Sequence, residues 1–369
     1  MKPGLVIWAH SVCRSVMGVY RAMGELMGVP LIVALWHPRP CDGGSRVKAG
    51  FRVDEFADMQ FVDIGENYEK GLELLKRCRG WRHLFCVYQI SPTFRRLLVE
   101  AHRAGDEVGV MCESPCNMAS GFRRVMKNIY MRTLLPWKSR KVIAAARFFV
   151  NYSGDDWRAA CASGWSKEKV IPFGYFPPPI EGSKCVARAR CPRPFTILAT
   201  GILARYRGAD VLVKALKILK DHGVPYRATI TQSGELLDGL KDYSRRYDLP
   251  IDFPGFVSMP DLVKLYESCS VYVGSGRSEP WGMRLNDALN CGAPLVVSRG
   301  MGGVKLVDDY GCGMAFDAGD AKGLASALET LARDSDRYNA CAVAAVQAAQ
   351  KCDPRTKARE LLEKIGWLA

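Results

Sequence analysis

Short apolar segments alternate with amphipathic ones along the whole chain. The segments 5–9 and 31–36 are continuous apolar runs, and the segment between them, 16–28, has helical periodicity. A strand, a helix and a second strand in this order predict a βαβ unit. The same alternation continues with predicted strands at 61–64, 84–88 and 107–112 and predicted helices at 68–78 and 94–104.

A proline-rich segment, 176–194, interrupts this alternation and has the composition of an interdomain linker. Afterwards the alternation resumes, with strands at 196–200, 227–232, 251–253, 271–273 and 295–298 and helices at 209–222, 236–247, 260–268, 281–290 and 321–333. Apolar strands separated by helices predict parallel sheets covered on both faces. We therefore predict an α/β chain with domains at 1–178 and 195–354 and a linker at 179–194. The last helix, 355–369, is expected to pack back on the first domain.

Composition supports this division and bears on the compartment. A chain of 369 residues is too long for one ordinary core. The longest apolar run, 29–36, falls far short of the roughly 20 residues that cross a bilayer. The 14 cysteines are scattered singly, without a Cys-x-x-Cys pair. This usage fits free thiols in a reducing cytosol, so we expect a cytoplasmic protein.

The net charge of +14 is concentrated in the N-terminal half. Residues 1–190 contain 29 Lys and Arg against 17 Asp and Glu, which leaves 23 against 21 for residues 191–369. Such a field favours an anionic partner: nucleic acid, acidic phospholipid or a phosphorylated substrate.

The segment 274–298 carries the strongest chemical signal. It predicts a strand, a loop of small residues, a helix with Pro280 in its first turn, and a stop at Gly292 before the next strand. Such a loop and helix start favour an anion such as a diphosphate. On one helix, Glu279 and Asp287 would lie about 12 Å apart. They either grip the hydroxyl groups at two ends of a long ligand, or are a helix N-terminal charge and a solvated carboxylate.

The wider pattern resembles glycosyltransferase family 4, a group of retaining enzymes with the GT-B fold. In that family a Glu-Pro-Phe/Trp-Gly element is followed, eight residues after its Glu, by a second Glu and Ala, and then by a Cys-Gly-x-Pro turn. This chain has Glu279-Pro280-Trp281-Gly282-Met283, Asp287-Ala288 and Cys291-Gly292-Ala293-Pro294, with Asp287 as the departure. The resemblance implies two Rossmann-like domains with a deep cleft between them. It implies donor contacts from 279–283 and from Asp287.

A second element, 200–212, resembles the family's Gly-Arg-Leu loop followed by Lys-Gly, whose Arg and Lys bind the donor phosphates. Gly201 and Arg207 take the Gly and Lys positions, but Ile202 replaces the Arg. Arg205, in the same loop, is the candidate substitute. Val257 lies in a stretch that resembles the one whose backbone meets the nucleobase. The resemblance covers about residues 150–350, and the N-terminal third matches in architecture alone.

The first domain offers weaker candidates. The first turn, after residue 9, lacks the paired glycines of the family, and Glu113 stands where family members often have a His near the reacting sugar. Glu113 is a candidate for contacting the acceptor or orienting the donor, or is a capping carboxylate beside Pro115. His10, at the end of the first strand, either faces the crevice or is a structural histidine. Both are kept as catalytic candidates.

The resemblance implies retention of anomeric configuration by front-face attack, with the leaving phosphate drawing the acceptor proton. The departing nucleoside diphosphate must be stabilised by positive charge. The only Asp-x-Asp triplet, 334–336, follows a predicted helix and is assigned to a turn. Arg207, with Arg205, is then the expected counter-charge. We predict no metal and no cofactor, with the sugar nucleotide as co-substrate.

A basic amphipathic helix is predicted within 120–147. Apolar residues at 122, 125, 126 and 129 share one helical face, and Arg123, Arg124, Lys127 and Arg132 add positive charge. Three interpretations stay open: a core-facing helix with a solvated face, attachment to anionic lipid that suits a lipid-linked acceptor, and nucleic-acid binding. The last has no recognised module to support it, so the expected partner is an anionic membrane surface on the inner face of the cell membrane.

The resemblance therefore implies a glycosyltransferase that moves a sugar from a nucleoside diphosphate sugar to an acceptor. The expected acceptor is a lipid-linked or cell-surface glycan precursor, as in polysaccharide biosynthesis. A sugar-nucleotide epimerase or phosphorylase on the same fold is one alternative. A non-catalytic sugar-nucleotide or polyanion binder is another, favoured by Ile202 and the altered first turn. An NAD-dependent enzyme is disfavoured because no Gly-x-Gly-x-x-Gly follows a strand.

Overall fold

The computed structural model describes residues 3–37, 56–86, 89, 91–114, 121–154, 157–187 and 194–368. They form two compact units. The N-terminal unit runs to Pro178 and takes in the end of the chain from Pro354, and the C-terminal unit is Pro179–Asp353. Each unit has its own parallel sheet and its own apolar core.

The sheet of the N-terminal unit has seven parallel strands among the described residues. They are β1 (Leu5–Ala9), β2 (Leu31–Leu35), β3 (Gln60–Asp63), β4 (Arg82–Phe85), β5 (Glu107–Cys112), β6 (Phe149–Asn151) and β7 (Val170–Pro172). Their spatial order is β3-β2-β1-β4-β5-β6-β7. Every residue of β1 is buried, as expected for a central strand with helices on both faces. The winding direction reverses between β1 and β4.

The helices of this unit begin where local signals place them. They are α1 (Arg14–Met27), α2 (Tyr68–Arg77), α3 (Pro92–Arg103), α4 (Gly121–Arg132), α5 (Leu134–Ala145) and α6 (Trp157–Ala162). The Asn67 side chain accepts a hydrogen bond from the Lys70 amide, and the Ser91 hydroxyl accepts one from the Phe94 amide. These caps satisfy first-turn amides that have no partner within the helix.

One predicted strand is displaced. The segment 84–88 was expected to be extended, but β4 is Arg82–Phe85, and residues 87 and 88 lie outside the described part. Trp8 Nε1 donates to His83 Nδ1 at 3.1 Å, and burial lowers the pKa of His83 to about 4. A neutral imidazole with a cross-strand partner is compatible with a core, and this pairing is invisible in a local apolar pattern.

The C-terminal unit has six parallel strands in the described chain. They are β8 (Phe195–Ala199), β9 (Tyr226–Thr231), β10 (Ile251–Gly255), β11 (Val271–Gly274), β12 (Leu295–Ser298) and β13 (Gly313–Phe316). Their spatial order is β10-β9-β8-β11-β12-β13. The winding direction therefore reverses between β8 and β11, the position outside which open α/β sheets bind ligands.

The helices of this unit are α7 (Ala209–Asp221), α8 (Leu237–Arg246), α9 (Met259–Ser268), α10 (Arg284–Asn290), α11 (Val304–Tyr310), α12 (Ala321–Arg333) and α13 (Ser335–Lys351). The final helix, α14 (Pro354–Lys364), belongs to the N-terminal unit and packs against α1. The start of the predicted helix 281–290 is wrong, since α10 begins at Arg284.

Part of the segment predicted as a linker is packed on the C-terminal unit. The Lys184 amide donates to the Glu267 Oε1 at 2.8 Å, and the Cys185 thiol donates to the Leu289 carbonyl at 3.4 Å. Residues 188–193 of the predicted linker lie outside the described part of the chain. The proline-rich composition marks the unit boundary near Pro178, but residues within this segment still pack against the C-terminal unit.

Candidate functional site

The loops that follow β8 and β11 border the point where the C-terminal sheet reverses direction. The first contains a 3-10 turn at Arg205–Arg207, and the second runs from Ser275 to Met283. Adjacent parallel strands bring the loops at their carboxyl ends together. The two elements that the sequence singled out, 200–212 and 274–298, are thus neighbours in space.

Arg277 fastens the two loops to each other. Its Nη1 and Nη2 donate to the two carboxylate oxygens of Asp210 at 2.6 and 2.7 Å, and Nη1 also donates to the Arg205 carbonyl at 2.8 Å. The Arg277 amide donates to the Tyr206 carbonyl at 2.8 Å. A bidentate guanidinium–carboxylate pair fixes orientation as well as distance, so the loop after β8 is held in a defined position.

Arg207, in the loop after β8, contacts Glu279, in the loop after β11. Arg207 Nη1 forms an ion pair with Glu279 Oε1, and only 10% of the Glu279 side chain is exposed. Burial raises the pKa of Glu279, and the charge of Arg207 acts in the opposite direction. Arg207 Nε is buried and has no hydrogen-bond partner among the described residues. The structure therefore brings together the residues expected to meet the sugar and the phosphates, with one guanidinium donor left over.

The placement of Glu279 and Asp287 on a single helix is wrong. Glu279 lies in the loop, where it forms an isolated parallel bridge with Met301, and Asp287 is the fourth residue of α10. The Glu279 amide donates to the Gly300 carbonyl at 2.9 Å. These backbone bonds tie Glu279 to the segment 300–302, outside the helix. The separation of about 12 Å expected from helical rise does not apply.

The other residues of the motif form the turn into α10. Trp281 and Gly282 are buried, while Pro280 and Met283 are half-buried. The Trp281 indole donates to the Asn286 Oδ1 at 2.8 Å. This bond joins the turn to the helix, and the Trp281 ring is buried beside it.

Asp287 is buried and has a cationic neighbour that the sequence analysis did not single out. Only 5% of its side chain is exposed, and its Oδ2 lies 3.3 Å from the Nη1 of Arg284. Asp287 is therefore neither on a solvated face nor a lone carboxylate.

The remaining donor candidates lie at the same edge of the sheet. Gly201 is the second residue after β8, and a Cβ built there would meet no atom within 4 Å, so the backbone borders open space. Ile202 is exposed. Arg205 is exposed, and its amide donates to the Glu235 Oε1 at 3.1 Å. Val257 follows β10 and is half-buried.

Glu113 lies at the carboxyl end of β5 in the N-terminal unit. Its Oε1 accepts a hydrogen bond from the Tyr175 hydroxyl at 2.8 Å, and its carbonyl accepts one from Gln89 Nε2 at 2.8 Å. Burial raises the pKa of Tyr175, and the Glu113 carboxylate adds to this. The capping partner considered for Glu113, Pro115, lies outside the described residues. Glu113 is a half-buried carboxylate held by a tyrosine that the sequence analysis missed.

His10 follows the last residue of β1, beside the reversal point of the N-terminal sheet. Its ring contacts Trp36 and His37 edge to face, with centroids 5.0 Å apart in each case. Burial lowers the pKa of His10, and His37 lowers it further. The ring is half-buried beside these two aromatic rings.

The basic segment exposes its apolar side chains. Every described side chain of α4 is exposed except Met131, and the exposed large apolar residues of this helix and the start of the next are Phe122, Val125, Met126, Ile129, Tyr130, Leu134 and Trp137. The interpretation of α4 as a core-facing helix is therefore wrong for these residues. Lys127 and Arg132 are exposed as well, and Arg123 and Arg124 lie on the same helix, although their side chains are outside the described part.

Three further observations bear on the chemistry of the described chain. No group of three or more His, Cys, Asp or Glu side chains in it is arranged to hold a metal ion. The Asp334 side chain caps α13 by accepting from the Arg337 amide at 2.8 Å. No helix in the same residues has the length and apolarity required to cross a bilayer.

The clearest residues that the sequence analysis missed are Arg277, Arg284 and Tyr175. Arg277 and Asp210 lie in the two recognised motifs, but their pairing joins positions 67 residues apart. Arg284 is three residues before Asp287, a spacing that places two side chains on one helix face. That spacing was the signal that could have identified Arg284.

Known proteins are similar to the unit that contains these loops. Residues 189–348, all within the C-terminal unit, match the family model described as glycosyl transferases group 1. The GDP-mannose-dependent alpha-(1-6)-phosphatidylinositol dimannoside mannosyltransferase of Mycobacterium tuberculosis is 30% identical over 171 residues, which are 42% of this chain and 43% of that protein. The match thus spans less than half the length of this relative.

Solved structures extend the likeness to the whole chain. HepE of Anabaena, in complex with UDP and glucose, superposes with a TM-score of 0.67 at 14% identity, over 99% of this chain and all of that one. WaaG, a glycosyltransferase involved in lipopolysaccharide biosynthesis, gives 0.59 at 12% identity over 98% of this chain and 99% of its own. At such identities the likeness establishes the fold. Residues 189–348 are therefore similar to the group 1 glycosyl transferases, and the chain has the GT-B fold that the sequence resemblance predicted.

Proposed function

We propose that this protein transfers a sugar from a nucleoside diphosphate sugar, bound by the C-terminal unit, to an acceptor hydroxyl. The pairing of Arg207 with Glu279 at the reversal point of the C-terminal sheet carries the proposal. It places a phosphate-binding cation and a sugar-binding carboxylate side by side. The relative from M. tuberculosis is named for a GDP-mannose donor, and HepE was solved with UDP and glucose. Both support a sugar nucleotide.

The proposed reaction retains anomeric configuration. The bond between the anomeric carbon and the diphosphate oxygen breaks while a bond to the acceptor oxygen forms on the same face. The acceptor proton passes to the departing phosphate. Arg207, with its unpartnered Nε, meets the charge that develops on this leaving group. Glu279 accepts hydrogen bonds from the sugar hydroxyls.

We also propose that the leaving group is stabilised by protein cations without a bound metal. The position of Arg207 supports this, because it lies in the loop after β8, at the reversal point outside which open α/β sheets bind ligands. In the N-terminal unit, Glu113 and His10 are the proposed acceptor-side residues. Both follow strands that end at the carboxyl edge of their sheet.

The proposed acceptor is lipid-linked, and the proposed location is the cytoplasmic face of a membrane. The basic, apolar surface formed by α4 and the start of α5 supports this. Lys138 lies 5.5 Å from the Tyr130 ring centroid, and the Arg140 guanidinium lies 4.9 Å from that of Trp137. Aromatic rings beside cations suit a headgroup layer. The names of two relatives refer to phosphatidylinositol dimannoside and to lipopolysaccharide, and the cysteines in the described part are free thiols.

Transfer is tested with radiolabelled sugar nucleotides and lipid extract as acceptor. We expect the label to pass from UDP-sugar or GDP-sugar to the lipid fraction, at a rate that EDTA leaves unchanged. NMR of the isolated product should show the anomeric configuration of the donor. Purified enzyme stripped with EDTA and then resupplied with Mg²⁺ serves as the control.

Other products identify the alternatives. An epimerised sugar nucleotide indicates an epimerase, and a sugar phosphate formed from free phosphate indicates a phosphorylase. Donor binding without any product indicates a non-catalytic binder. Loss of transfer with EDTA, restored by Mg²⁺, contradicts the metal-independent proposal alone.

Membrane attachment makes a separate prediction. Replacing Lys127 and Arg132 by Glu should weaken binding to vesicles of phosphatidylcholine with phosphatidylglycerol by at least about tenfold, since each basic residue near an anionic surface contributes about 1 kcal/mol. Replacing Phe122 and Ile129 by Ser should weaken it further. Sedimentation with the vesicles measures both effects.

The matched control is Val343→Ser, which removes an exposed apolar side chain from α13 and should leave sedimentation unchanged. Wild-type protein should not sediment with pure phosphatidylcholine. Equal binding by the wild type and the Lys127→Glu, Arg132→Glu variant would contradict this attachment.

A further inference from the structure

Arg284 occupies a position in the C-terminal site to which the resemblance assigns no cation. It is the first residue of α10, and Asp287 lies about one turn further along the same face. One third of the Arg284 side chain is exposed, although its Nη1 lies 3.3 Å from the Asp287 carboxylate. The Arg284 side chain is therefore held by a buried carboxylate and is still partly exposed.

The hydroxyl groups nearest Arg284 belong to elements that adjoin the loop after β8. The Tyr272 hydroxyl lies 3.0 Å from the Thr200 Oγ1, and the Tyr266 hydroxyl lies 3.4 Å from the same atom. Thr200 directly precedes Gly201 in the loop after β8. This small network connects that loop to β11 and α9, next to the start of α10.

Arg284 and the Arg207–Glu279 pair act on the same hydroxyl. Burial raises the pKa of Tyr272 to about 12, the charges of Arg284 and Arg207 lower it, and that of Glu279 raises it. Ser275, the residue after β11, donates its hydroxyl to the Arg207 carbonyl at 3.1 Å, so Arg207 lies beside the strand that carries Tyr272. The site thus contains two neighbouring ion pairs, each with one arginine and one carboxylate.

We propose that Arg284 is the second cation that binds the donor diphosphate, in place of the arginine that the resemblance expects where Ile202 stands. The proposal rests on the proposed function. Without donor, Arg207 is paired with Glu279 and Arg284 with Asp287. When the diphosphate binds, both arginines turn to its oxygens. Each carboxylate then becomes available to hydroxyl groups, Glu279 to those of the sugar and Asp287 to those of the ribose.

The test separates phosphate binding from binding of the nucleoside. Titration calorimetry with UDP and uridine, and with GDP and guanosine, gives the ratio of nucleoside Kd to diphosphate Kd for each variant. The key comparison is between the single variant Asp287→Asn and the double variant that carries both Asp287→Asn and Arg284→Met. The Asp287→Asn background is needed because Arg284→Met alone leaves a buried carboxylate without its cation, which destabilises the fold.

We expect removal of Arg284 to lower this ratio by about 10- to 100-fold, since hydrogen bonds to charged groups contribute about 1.5–3 kcal/mol. Arg284→Lys should keep the ratio within a few-fold of wild type because it retains the charge. Arg299→Met is the matched control. Arg299 is an exposed arginine of the same unit, paired with Asp308 at 3.2 Å.

Two results are distinguishable from each other. If the wild type binds none of UDP, GDP, ADP, CDP and dTDP, the proposed function itself is contradicted. If the wild type binds a diphosphate and the ratio is unchanged when Arg284→Met is added to Asp287→Asn, only the role of Arg284 is overturned. In that case Arg284 serves solely to neutralise Asp287.

Discussion

Glu279→Ala is expected to lower kcat/KM for sugar transfer by about a hundredfold. The carboxylate is nearly buried, and hydrogen bonds from sugar hydroxyls to a charged acceptor contribute about 1.5–3 kcal/mol. Loss of the carboxylate also leaves Arg207 without its partner in the free protein. Initial rates at varied donor concentration measure the effect. Asp308→Ala, which breaks an exposed ion pair with Arg299 in the same unit, should leave the rate unchanged.

The dependence of this reaction on pH follows from the same carboxylate. Because burial raises the pKa of Glu279, the ionised form is lost at a higher pH than for an ordinary glutamate. Activity should therefore fall as the pH drops through this raised pKa. Above this pKa, where Glu279 is ionised, activity should reach its full value. Glu279→Gln, which cannot ionise, should have a low rate without this acid limb. An unchanged pH profile in Glu279→Gln would contradict the assignment.

Gly208→Ala is expected to separate the two loops of the donor site. Gly208 has a φ of +72°, and a Cβ built there would lie 1.9 Å from the Ser275 carbonyl oxygen. Backbone strain at positive φ adds about 1–3 kcal/mol, and this overlap with a backbone atom can be relieved only by moving a loop. We expect a destabilisation of at least about 3 kcal/mol, which lowers the melting temperature by roughly 6–12 °C. Affinity for the nucleoside diphosphate should fall with it.

Gly223 provides a matched control for this substitution. Its φ is +69°, close to that of Gly208, but a Cβ there would meet no atom within 4 Å. Gly223→Ala therefore introduces the backbone strain without the overlap. It should cost about 1 kcal/mol and leave nucleotide affinity unchanged. If both variants melted at the same temperature and bound nucleotide equally, the close contact between Gly208 and Ser275 would be absent.

Much of the fold could be predicted because its signals are local. The strand 107–112 and the helix Ala321–Arg333 have the predicted bounds, since an apolar run and a 3.6-residue period depend only on neighbouring residues. The helix predicted from residue 281 fails for a tertiary reason. Backbone bonds join residues 279 and 281 to residues 300–303, and these bonds replace the first turn of the predicted helix. A helical period cannot report partners that lie far along the chain.

The candidate site was predictable in part for a related reason. The sequence placed Arg207 in the loop after one strand and Glu279 after another, and parallel topology brings such loops together. It could not reveal that their side chains pair, nor that Arg277 locks the loops through Asp210. Those contacts depend on side-chain directions set by the whole sheet.

The sequence by itself determined the two α/β halves, the family resemblance of residues 150–350 and the positions of the main acidic and basic candidates. Each of these follows from periodicity or from motif spacing along the chain. The tertiary structure alone decided that Glu279 pairs with Arg207, 72 residues away, and that the apolar face of α4 is exposed rather than buried. An amphipathic pattern states only that one face differs from the other. Whether another element covers that face depends on parts of the chain that are distant in sequence. The same is true of ion pairs between residues on different loops.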